Sequence, residues 1–169
     1  MDLLNKIQSG QNALERIAGA IPGFAGYRDR ERRREADKIA REHMAARLEE
    51  SKKDLDTLAA NASQVGALDA INGIETARKR TDKVTARLRY ADRGYAGFFD
   101  AIKVDEALLD RVYQFDLALV NGVDEARAAA KAAGVAAGGV GPALQALVGK
   151  LDALDAAFGE REQLLSGVR

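Results

Sequence analysis

Residues 44–62 read MAARLEESKKDLDTLAANA, and this stretch decides the class of the fold. Small or apolar side chains recur there at alternating steps of three and four residues: Met44, Leu48, Ser51, Leu55, Leu58 and Ala62. This spacing is typical of a helix that packs along one apolar stripe. It predicts a long helix over about residues 29–61, which forms a rod of roughly 50 Å because a helix rises about 1.5 Å per residue.

The same alternation continues on both sides of this stretch and predicts further helices over residues 1–22, 64–93, 105–133 and 142–166. Pro22 ends the first helix, Ser63 caps the third after a break at Asn61, and Pro142 lies in the first turn of the fifth. Short connections favour antiparallel neighbours. The sequence therefore predicts a single all-α domain over residues 1–169, an up-down antiparallel bundle of about five helices with left-handed coiled-coil-like packing.

The composition limits the class of protein. The 169 residues carry 26 basic and 26 acidic side chains, so no net charge directs the chain toward nucleic acid, and we expect no nucleic-acid partner. The absence of cysteine excludes disulfides and thiolate chemistry and fits a reducing compartment. Residues 1–10 lack a basic start followed by an apolar run, so we expect a cytoplasmic protein without a secretory signal.

Two segments of the chain leave their structural role open. The longest stretch without a charge, residues 132–149, is rich in glycine and alanine, and we interpret it as a flexible corner followed by the start of a helix rather than as a membrane span. In the first helix, Gly10 interrupts the apolar stripe. The sequence therefore does not decide whether this helix packs on the bundle or is only loosely docked.

A pentapeptide of the pattern Gly-aromatic-Ala-Gly-aromatic occurs twice, at residues 23–27 and 94–98. The first copy lies between the first two predicted helices, and the second lies between the third and the fourth. Alternate corners of an up-down bundle fall at the same end, so the two copies should meet there. Two interpretations remain open. The aromatic side chains either close the end as a buried plug, which is favoured, or face outward and bind a membrane interface, a peptide or another copy.

A block of five arginines follows the first corner, within residues 28–34. Cations at a helix N-terminus oppose the helix dipole by roughly 0.3–1 kcal/mol each, so other groups should offset them. The favoured source is internal, since the second and third helices are positive and the fourth and fifth are negative; the alternative is an external anion, such as phospholipid headgroups or nucleic-acid phosphate. The corners and the block form a candidate interaction tip: Phe24, Tyr27, Arg28, Arg30, Arg32, Arg33, Arg34, Tyr95, Phe98 and Phe99.

The sequence offers no set of residues for catalysis or metal binding. The single histidine, His43, has no second ligand at helical spacing, so we interpret it as a solvated or half-buried residue and expect no metal and no cofactor. No serine lies in a nucleophile elbow, and no glycine motif follows a strand. Asp116 stands among apolar neighbours. It lies either at the polar edge of its helix, which is favoured, or in the core, paired with an arginine such as Arg87 or Arg89.

These observations predict a protein that is not an enzyme. The first hypothesis is a helical scaffold or protein–protein interaction module, which binds an unknown protein partner or a second copy of the chain through exposed apolar residues. The alternative is a peripheral binder of anionic membrane surfaces, which uses the first helix, the arginine block and the aromatic corners.

Overall fold

The chain is almost entirely helical. A computed structural model describes residues 3–91, 96–135 and 139–167, and these ranges contain no strand. They contain six helices: α1 (Leu3–Ala20), α2 (Arg33–Gln64), α3 (Leu68–Tyr90), α4 (Ala96–Asp100), α5 (Glu106–Gly134) and α6 (Val140–Ser166). The predicted all-α class is confirmed, and one short helix, α4, is added to the five that were predicted.

The second helix begins later than predicted. The prediction placed its start near Asp29, but α2 begins at Arg33. Between them the Asp29 carboxylate accepts a hydrogen bond from the backbone N–H of Glu31 (3.0 Å), and the Asp29 carbonyl accepts one from the N–H of Arg32 (3.2 Å). Such local bonds stabilise a turn in place of a helix. Most of the arginine block therefore lies in this turn.

The predicted break at Asn61 and Ser63 is wrong. α2 continues to Gln64, and the chain turns at Gly66, whose φ of +69° lies in the left-handed region that glycine adopts without strain. Ser63 does not cap the next helix; its carbonyl accepts a hydrogen bond from the N–H of Gly66 (3.3 Å). Ala62 is still buried, so the apolar stripe holds the helix together through the predicted break.

Four long helices surround the main core. α2 contacts α3 and α5, and α6 contacts the same two helices, so the four form a closed ring. α1 packs along α5, and α4 contacts α6. Every helix contributes to one cluster of buried apolar side chains. In this ring α3 and α5 lie diagonally across from each other.

Ion pairs show that the consecutive long helices are antiparallel. Late in α3, Arg89 pairs with Glu49 in the middle of α2 (2.7 Å). Earlier in α3, Arg78 pairs with Asp56, which lies farther along α2. The same opposite order of pairing relates α5 and α6. The chain therefore forms two antiparallel hairpins, α2–α3 and α5–α6.

Where the two hairpins meet, the neighbouring helices run parallel to each other. The predicted antiparallel bundle does not contain this feature. Arg47 of α2 pairs with Asp124 of α5 (2.7 Å), and Glu50 pairs with Arg127 one turn later in both helices (2.5 Å). α3 and α6 run parallel in the same way. Since α3 and α5 are diagonal neighbours, the connection that contains α4 crosses the end of the bundle.

The first helix packs on the bundle, a point that the sequence left open. Ala13, Ile17 and Ile21 are buried, and α1 contacts α5. A Cβ atom at Gly10 would lie 1.9 Å from Oδ1 of Asp110 on α5. Gly10 is therefore the point at which α1 makes room for a side chain of α5 rather than a break in the packing.

We expect Gly26→Ala to destabilise the protein more than Gly66→Ala. Both glycines have positive φ, of 82° and 69°, but a Cβ at Gly26 would lie 2.7 Å from Oη of Tyr113 and 3.0 Å from Cδ1 of Leu14, whereas Gly66 faces open space. Backbone strain alone should cost about 1–2 kcal/mol in Gly66→Ala, and overpacking should add roughly 1–3 kcal/mol in Gly26→Ala. Urea unfolding of both variants measures this difference. Equal losses would contradict the close packing at Gly26.

Candidate functional site

The two aromatic corners meet at one end of the bundle. Around the ring of Tyr27, Phe24 lies edge-on at 5.4 Å between centroids, Phe98 lies edge-on at 5.7 Å, and Tyr113 stacks at 5.5 Å. Phe99 lies edge-on to Phe98 at 5.2 Å. Tyr27 belongs to the first copy of the pentapeptide and Phe98 to the second, so the copies are in contact, as the alternation of helices predicts.

Burial divides the predicted interaction tip into two sets. The buried set contains Phe24, Tyr27, Arg33, Phe98 and Phe99. The exposed set contains Arg28, Arg30, Arg32 and Arg34. Tyr95 lies outside the described residues. The four aromatic side chains of the buried set are each at most 5% exposed. Of the two interpretations, they fit the buried plug, and they present no exposed binding surface.

Arg33 binds both corners through their backbones. Its Nε donates to the carbonyl of Tyr27 (2.6 Å), and its Nη1 donates to the carbonyls of Ala101 (2.7 Å) and Phe98 (3.4 Å). The latter two lie at the end of α4, where carbonyls lack partners inside the helix. Burial, with Arg30 nearby, lowers the pKa of Arg33. The buried guanidinium therefore fixes α4 against the first corner.

Acidic side chains of the same chain offset three of the four exposed arginines. Arg32 lies 3.5 Å from Asp29 in the same turn. Arg28 makes a bidentate pair with Glu106 at the start of α5, with both distances at 2.9 Å. Arg34 pairs with Asp100 of α4 (2.9 Å) and lies over the ring of Phe99 (5.2 Å to the centroid). These contacts agree with the internal source of compensation that the sequence favoured.

A buried ionic cluster lies beside Tyr27 and consists of Asp37, Arg41, Asp116 and Arg161. The carboxylate of Asp116 accepts hydrogen bonds from the Tyr27 hydroxyl and from Nε of Arg161. Nη2 of Arg161 donates to Oδ1 of Asp37 (2.8 Å), and Oδ2 of Asp37 accepts a bond from Nε of Arg41 (2.8 Å). All four side chains are buried.

The buried ionic cluster joins the four long helices. Arg161 comes from α6, Asp116 from α5, and Asp37 and Arg41 from α2. Nη1 of Arg41 donates to the carbonyl of Leu88 in α3 (2.9 Å). These bonds hold only when the four helices have one relative register, so the cluster specifies how they align.

The charges of the buried ionic cluster cancel, since two guanidiniums face two carboxylates. Burial by itself lowers the pKa of Arg161, but the neighbouring Asp116 and Asp37 carboxylates outweigh it and hold that pKa well above its ordinary value. Burial and the Asp116 charge raise the pKa of the Tyr27 hydroxyl. Arg161 is therefore charged and Tyr27 neutral, the states in which both donate to Asp116.

Chemically, this arrangement is suited to holding helices in place rather than to turnover. Among the polar atoms of the four cluster side chains, only Nη1 of Arg161 is buried without a hydrogen-bond partner in the described structure. Both carboxylates already accept bonds from buried donors, and the most exposed member, Arg41, is 8% exposed. A substrate would reach these groups only after the end of the bundle had opened.

The sequence pointed to one member of the buried ionic cluster, Asp116, but the partners predicted for it are wrong. Asp116 is buried and paired, which is the interpretation that the sequence did not favour. The proposed partners bind elsewhere: Arg87 pairs with Glu162 (2.6 Å), and Arg89 pairs with Glu49 (2.7 Å). The interpretation of Asp116 as a residue at the polar edge of its helix is therefore wrong. Neither Arg87 nor Arg89 is its partner.

Sequence reasoning missed the other three members, although a signal was present. Arg161 lies at the stripe position between Phe158 and Leu165, and Asp37 lies seven residues before Met44. A polar side chain at a stripe position faces the core, where it requires a partner. Continuing each stripe through its polar interruptions would have placed Arg161 and Asp37 inside.

A cleft of about 830 Å³ opens beside the cluster, between α2, the end of α3 and α4. Its cationic lining consists of Arg34, Lys38, Arg41 and Arg89. Each of these cations pairs with a carboxylate of the chain. An anion in this cleft would have to displace those carboxylates, so the cleft is poorly suited to binding phosphate or nucleic acid.

His43 is half-buried, as the sequence predicted. Among the residues with described side chains, no group of three or more histidine, cysteine or acidic residues is placed to hold a metal ion. Burial, with the Arg47 guanidinium nearby, lowers the pKa of His43 from its ordinary value of 6.5.

Comparison with known proteins found no matching family model, no matching curated protein and no matching solved structure. Within the described ranges, no helix is long and apolar enough to span a bilayer.

We expect Arg161→Met to lower the free energy of unfolding by about 3–5 kcal/mol, because it leaves two buried carboxylates without their shared cation. The matched control is Arg127→Met, which removes an exposed pair with Glu50 and should cost about 0–1 kcal/mol. Urea unfolding measures both. Arg161→Lys keeps the charge but not the forked geometry, so it should lose less than Arg161→Met. Similar stability of Arg161→Met and Arg127→Met would show that the buried ionic cluster does not hold the helices.

We expect the ring protons of His43 to titrate below pH 6.5 in the folded protein and at about pH 6.5 in urea, where burial is lost. Since the unfolded chain then binds the proton first, the free energy of unfolding should fall as the pH drops through 6.5. Proton NMR measures the midpoint directly, because the chain contains a single histidine. His43→Gln should remove this part of the pH dependence; a folded midpoint at or above 6.5 would contradict the burial.

Proposed function

We propose that the protein is a non-enzymatic helical scaffold, a protein–protein interaction module, that acts in the cytoplasm. One observation carries the proposal. The large apolar side chains that the described residues expose all lie at helix ends or corners: Val65, Leu68, Tyr90, Ile102 and Val135. Val65, Leu68 and Val135 share one end of the bundle, and apolar residues exposed together mark surfaces that bind other molecules.

The sides of the bundle carry paired charges instead. Ion pairs join the two hairpins along their sides, as in the pair of Arg47 of α2 with Asp124 of α5 and the pair of Lys83 of α3 with Asp155 of α6, both at 2.7 Å. Along the α3–α6 contact, Arg80 and Arg87 of α3 pair with Asp152 and Glu162 of α6. Along the α2–α5 contact the polarity alternates, since Glu50 of α2 pairs with Arg127 of α5. These charged side chains are thus paired within the fold, and we assign binding to the ends.

The two ends of the bundle differ in charge. The corner end, which contains the two aromatic corners, also carries the arginines of residues 28–34. The uncharged end consists of the α2–α3 and α5–α6 corners, and neither residues 57–68 nor residues 132–149 include a charged residue. Val65 and Leu68, 79% and 72% exposed, lie at this end. We assign partner binding to the uncharged end, since interface cores are depleted of charge.

The membrane-binding alternative has less support. It requires the aromatic corners to reach the headgroup region, but Phe24, Tyr27 and Phe98 are buried. It also requires free cations, whereas Arg28 and Arg34 are paired with acidic side chains. We therefore propose the interaction module rather than the membrane binder.

The proposal includes two finer features of the architecture. The first is left-handed coiled-coil-like packing of the long helices, which the buried residues Leu144, Leu147, Leu151 and Leu154 support by their spacing of three and four. The second is that the chain acts as one domain, for which the shared core of the six helices is the support.

The proposal predicts that a host protein binds the chain through the uncharged end. Tagged full-length chain should recover a specific partner from host lysate, and Val65→Ser/Leu68→Ser should abolish the recovery. Ile102→Ser is the matched control, because it removes an equally exposed aliphatic side chain (86%) at the corner end. Circular dichroism checks that all variants are folded. Failure to recover a partner, or equal loss in both variants, would contradict the proposal.

A further inference from the structure

We infer that Asn72 is a site of spontaneous deamidation in the folded protein, and that Asn121, in a matching sequence, is protected. The two asparagines lie in Ile-Asn-Gly-Ile at residues 71–74 and Val-Asn-Gly-Val at residues 120–123. Their surroundings in the fold differ, and this difference carries the inference. The modification concerns the chain alone and does not depend on the proposed function.

An Asn-Gly dipeptide can modify itself without an enzyme. The backbone nitrogen of the glycine loses its proton and attacks Cγ of the asparagine. The new C–N bond closes a succinimide ring, the bond from Cγ to Nδ2 breaks, and ammonia leaves. Water then opens either carbonyl of the ring, which gives aspartate or isoaspartate. Glycine favours the reaction because it leaves the attacking nitrogen accessible and the backbone free to rotate.

An intact helix opposes this reaction. The N–H of the glycine is held in the bond to the carbonyl four residues earlier. Ring closure also needs a backbone torsion that the helix does not allow, so the dipeptide reacts only while its turn of helix is open. The rate at each site therefore follows how often that turn opens, which differs between a fraying helix end and a packed middle.

The start of α3, around Asn72, is weakly held. Among the described residues, no side chain caps the first turn, and the N-cap position is occupied by Ala67. Leu68 is 72% exposed, and the first buried side chain of α3 is Ile74. Residues 68–73 are therefore fixed by backbone hydrogen bonds and by side chains that are at most partly covered, so they open at a low cost in free energy.

A side-chain hydrogen bond competes with the helix at the same point. Oγ1 of Thr76 donates to the carbonyl of Asn72 (3.0 Å). A threonine that bonds back to the carbonyl four residues earlier slightly destabilises a helix and often bends it. The side chain of Asn72 is exposed, so water reaches the ring that forms there.

Asn121 is exposed as well, but the helix around it is anchored. It lies in the middle of α5, among side chains that are each at most 7% exposed: Leu119, Val120, Val123 and Ala126. Opening of this turn would expose those apolar side chains to water, which costs far more free energy than opening of the start of α3. The same dipeptide is therefore protected in α5.

Deamidation changes the α2–α3 corner. A carboxylate at position 72 lies one turn after Asp69, at a spacing where like charges repel each other. Isoaspartate also lengthens the backbone by one methylene, which displaces the hydrogen bonds of the helix. Both changes loosen the segment beside Val65 and Leu68, to which the proposed function assigns partner binding. Only this consequence rests on the proposed function.

Incubation of the purified full chain at mildly alkaline pH tests the inference. Trypsin releases the two sites in separate peptides, residues 54–78 and 112–127, and mass spectrometry follows the replacement of the amide NH₂ by OH in each. Fragmentation distinguishes Asn72 from Asn61 in the first peptide. In the folded protein Asn72 should deamidate at least about tenfold faster than Asn121. In concentrated urea the two rates should become similar, because the flanking residues match.

A helix cap tests whether opening of α3 controls the rate. Ala67→Ser supplies the missing cap and should slow deamidation of Asn72 by roughly fivefold, without changing the rate at Asn121. The matched control is Ala60→Ser, which makes the same substitution at an exposed position within α2 and should leave both rates unchanged. Asn72→Gln should abolish the change at position 72.

Three results would overturn the inference. The first is equal rates at the two sites in the folded protein, including no change at either. The second is a rate at Asn72 that Ala67→Ser does not lower, and the third is the absence of reaction at both sites in urea. The measurements need no partner, so each of these results leaves the proposed function intact. Failure to recover a host partner likewise leaves the deamidation of Asn72 unaffected.

Discussion

A guanidinium that leaves water must be matched by carboxylates, and in this fold the constraint falls on Arg161. Its side chain is buried between Asp116 of α5 and Asp37 of α2. The desolvation of each ion costs several kcal/mol, which only close pairing offsets. The position of α6 along α5 and α2 is therefore restricted to the one in which these groups meet. Apolar contacts alone would tolerate a shift of one turn far better, since leucine packs against leucine in more than one register.

The packing of the corner end depends on this pairing. Asp116 accepts a bond from the Tyr27 hydroxyl as well as from Arg161, so the first aromatic corner is attached to the buried ionic cluster. Arg33 then holds the end of α4 through backbone carbonyls. Because α3 and α5 are diagonal, α4 crosses this end and brings Phe98 against Tyr27. The corner end is thus filled from inside, and the exposed apolar surface without charge lies at the other end.

Much of the local structure was predictable, because helices depend on spacing within one segment. The steps of three and four over residues 44–62 correctly predicted a long helix, and the two pentapeptides correctly predicted corners that meet. The errors lie where a local signal competed with a stripe. Ser63 resembles a helix cap, but Ala62 belongs to the stripe of α2, and burial of that stripe prevails. Asp116 resembles a residue at the polar edge of its helix, because the partner that allows its burial, Arg161, is 45 residues away in the sequence.

The sequence by itself determined that this protein is helical, where most of its helices lie, and that its charges balance. Those properties follow from residue types and from spacing within a few turns. Only the tertiary structure decided that the two hairpins pack in parallel, that Arg161 and Asp37 are the partners in the core, and that the arginine block is offset by Glu106 and Asp100. These are pairings between distant segments. Many arginines and acids of this chain could satisfy them equally well in sequence, and three-dimensional packing selects among them.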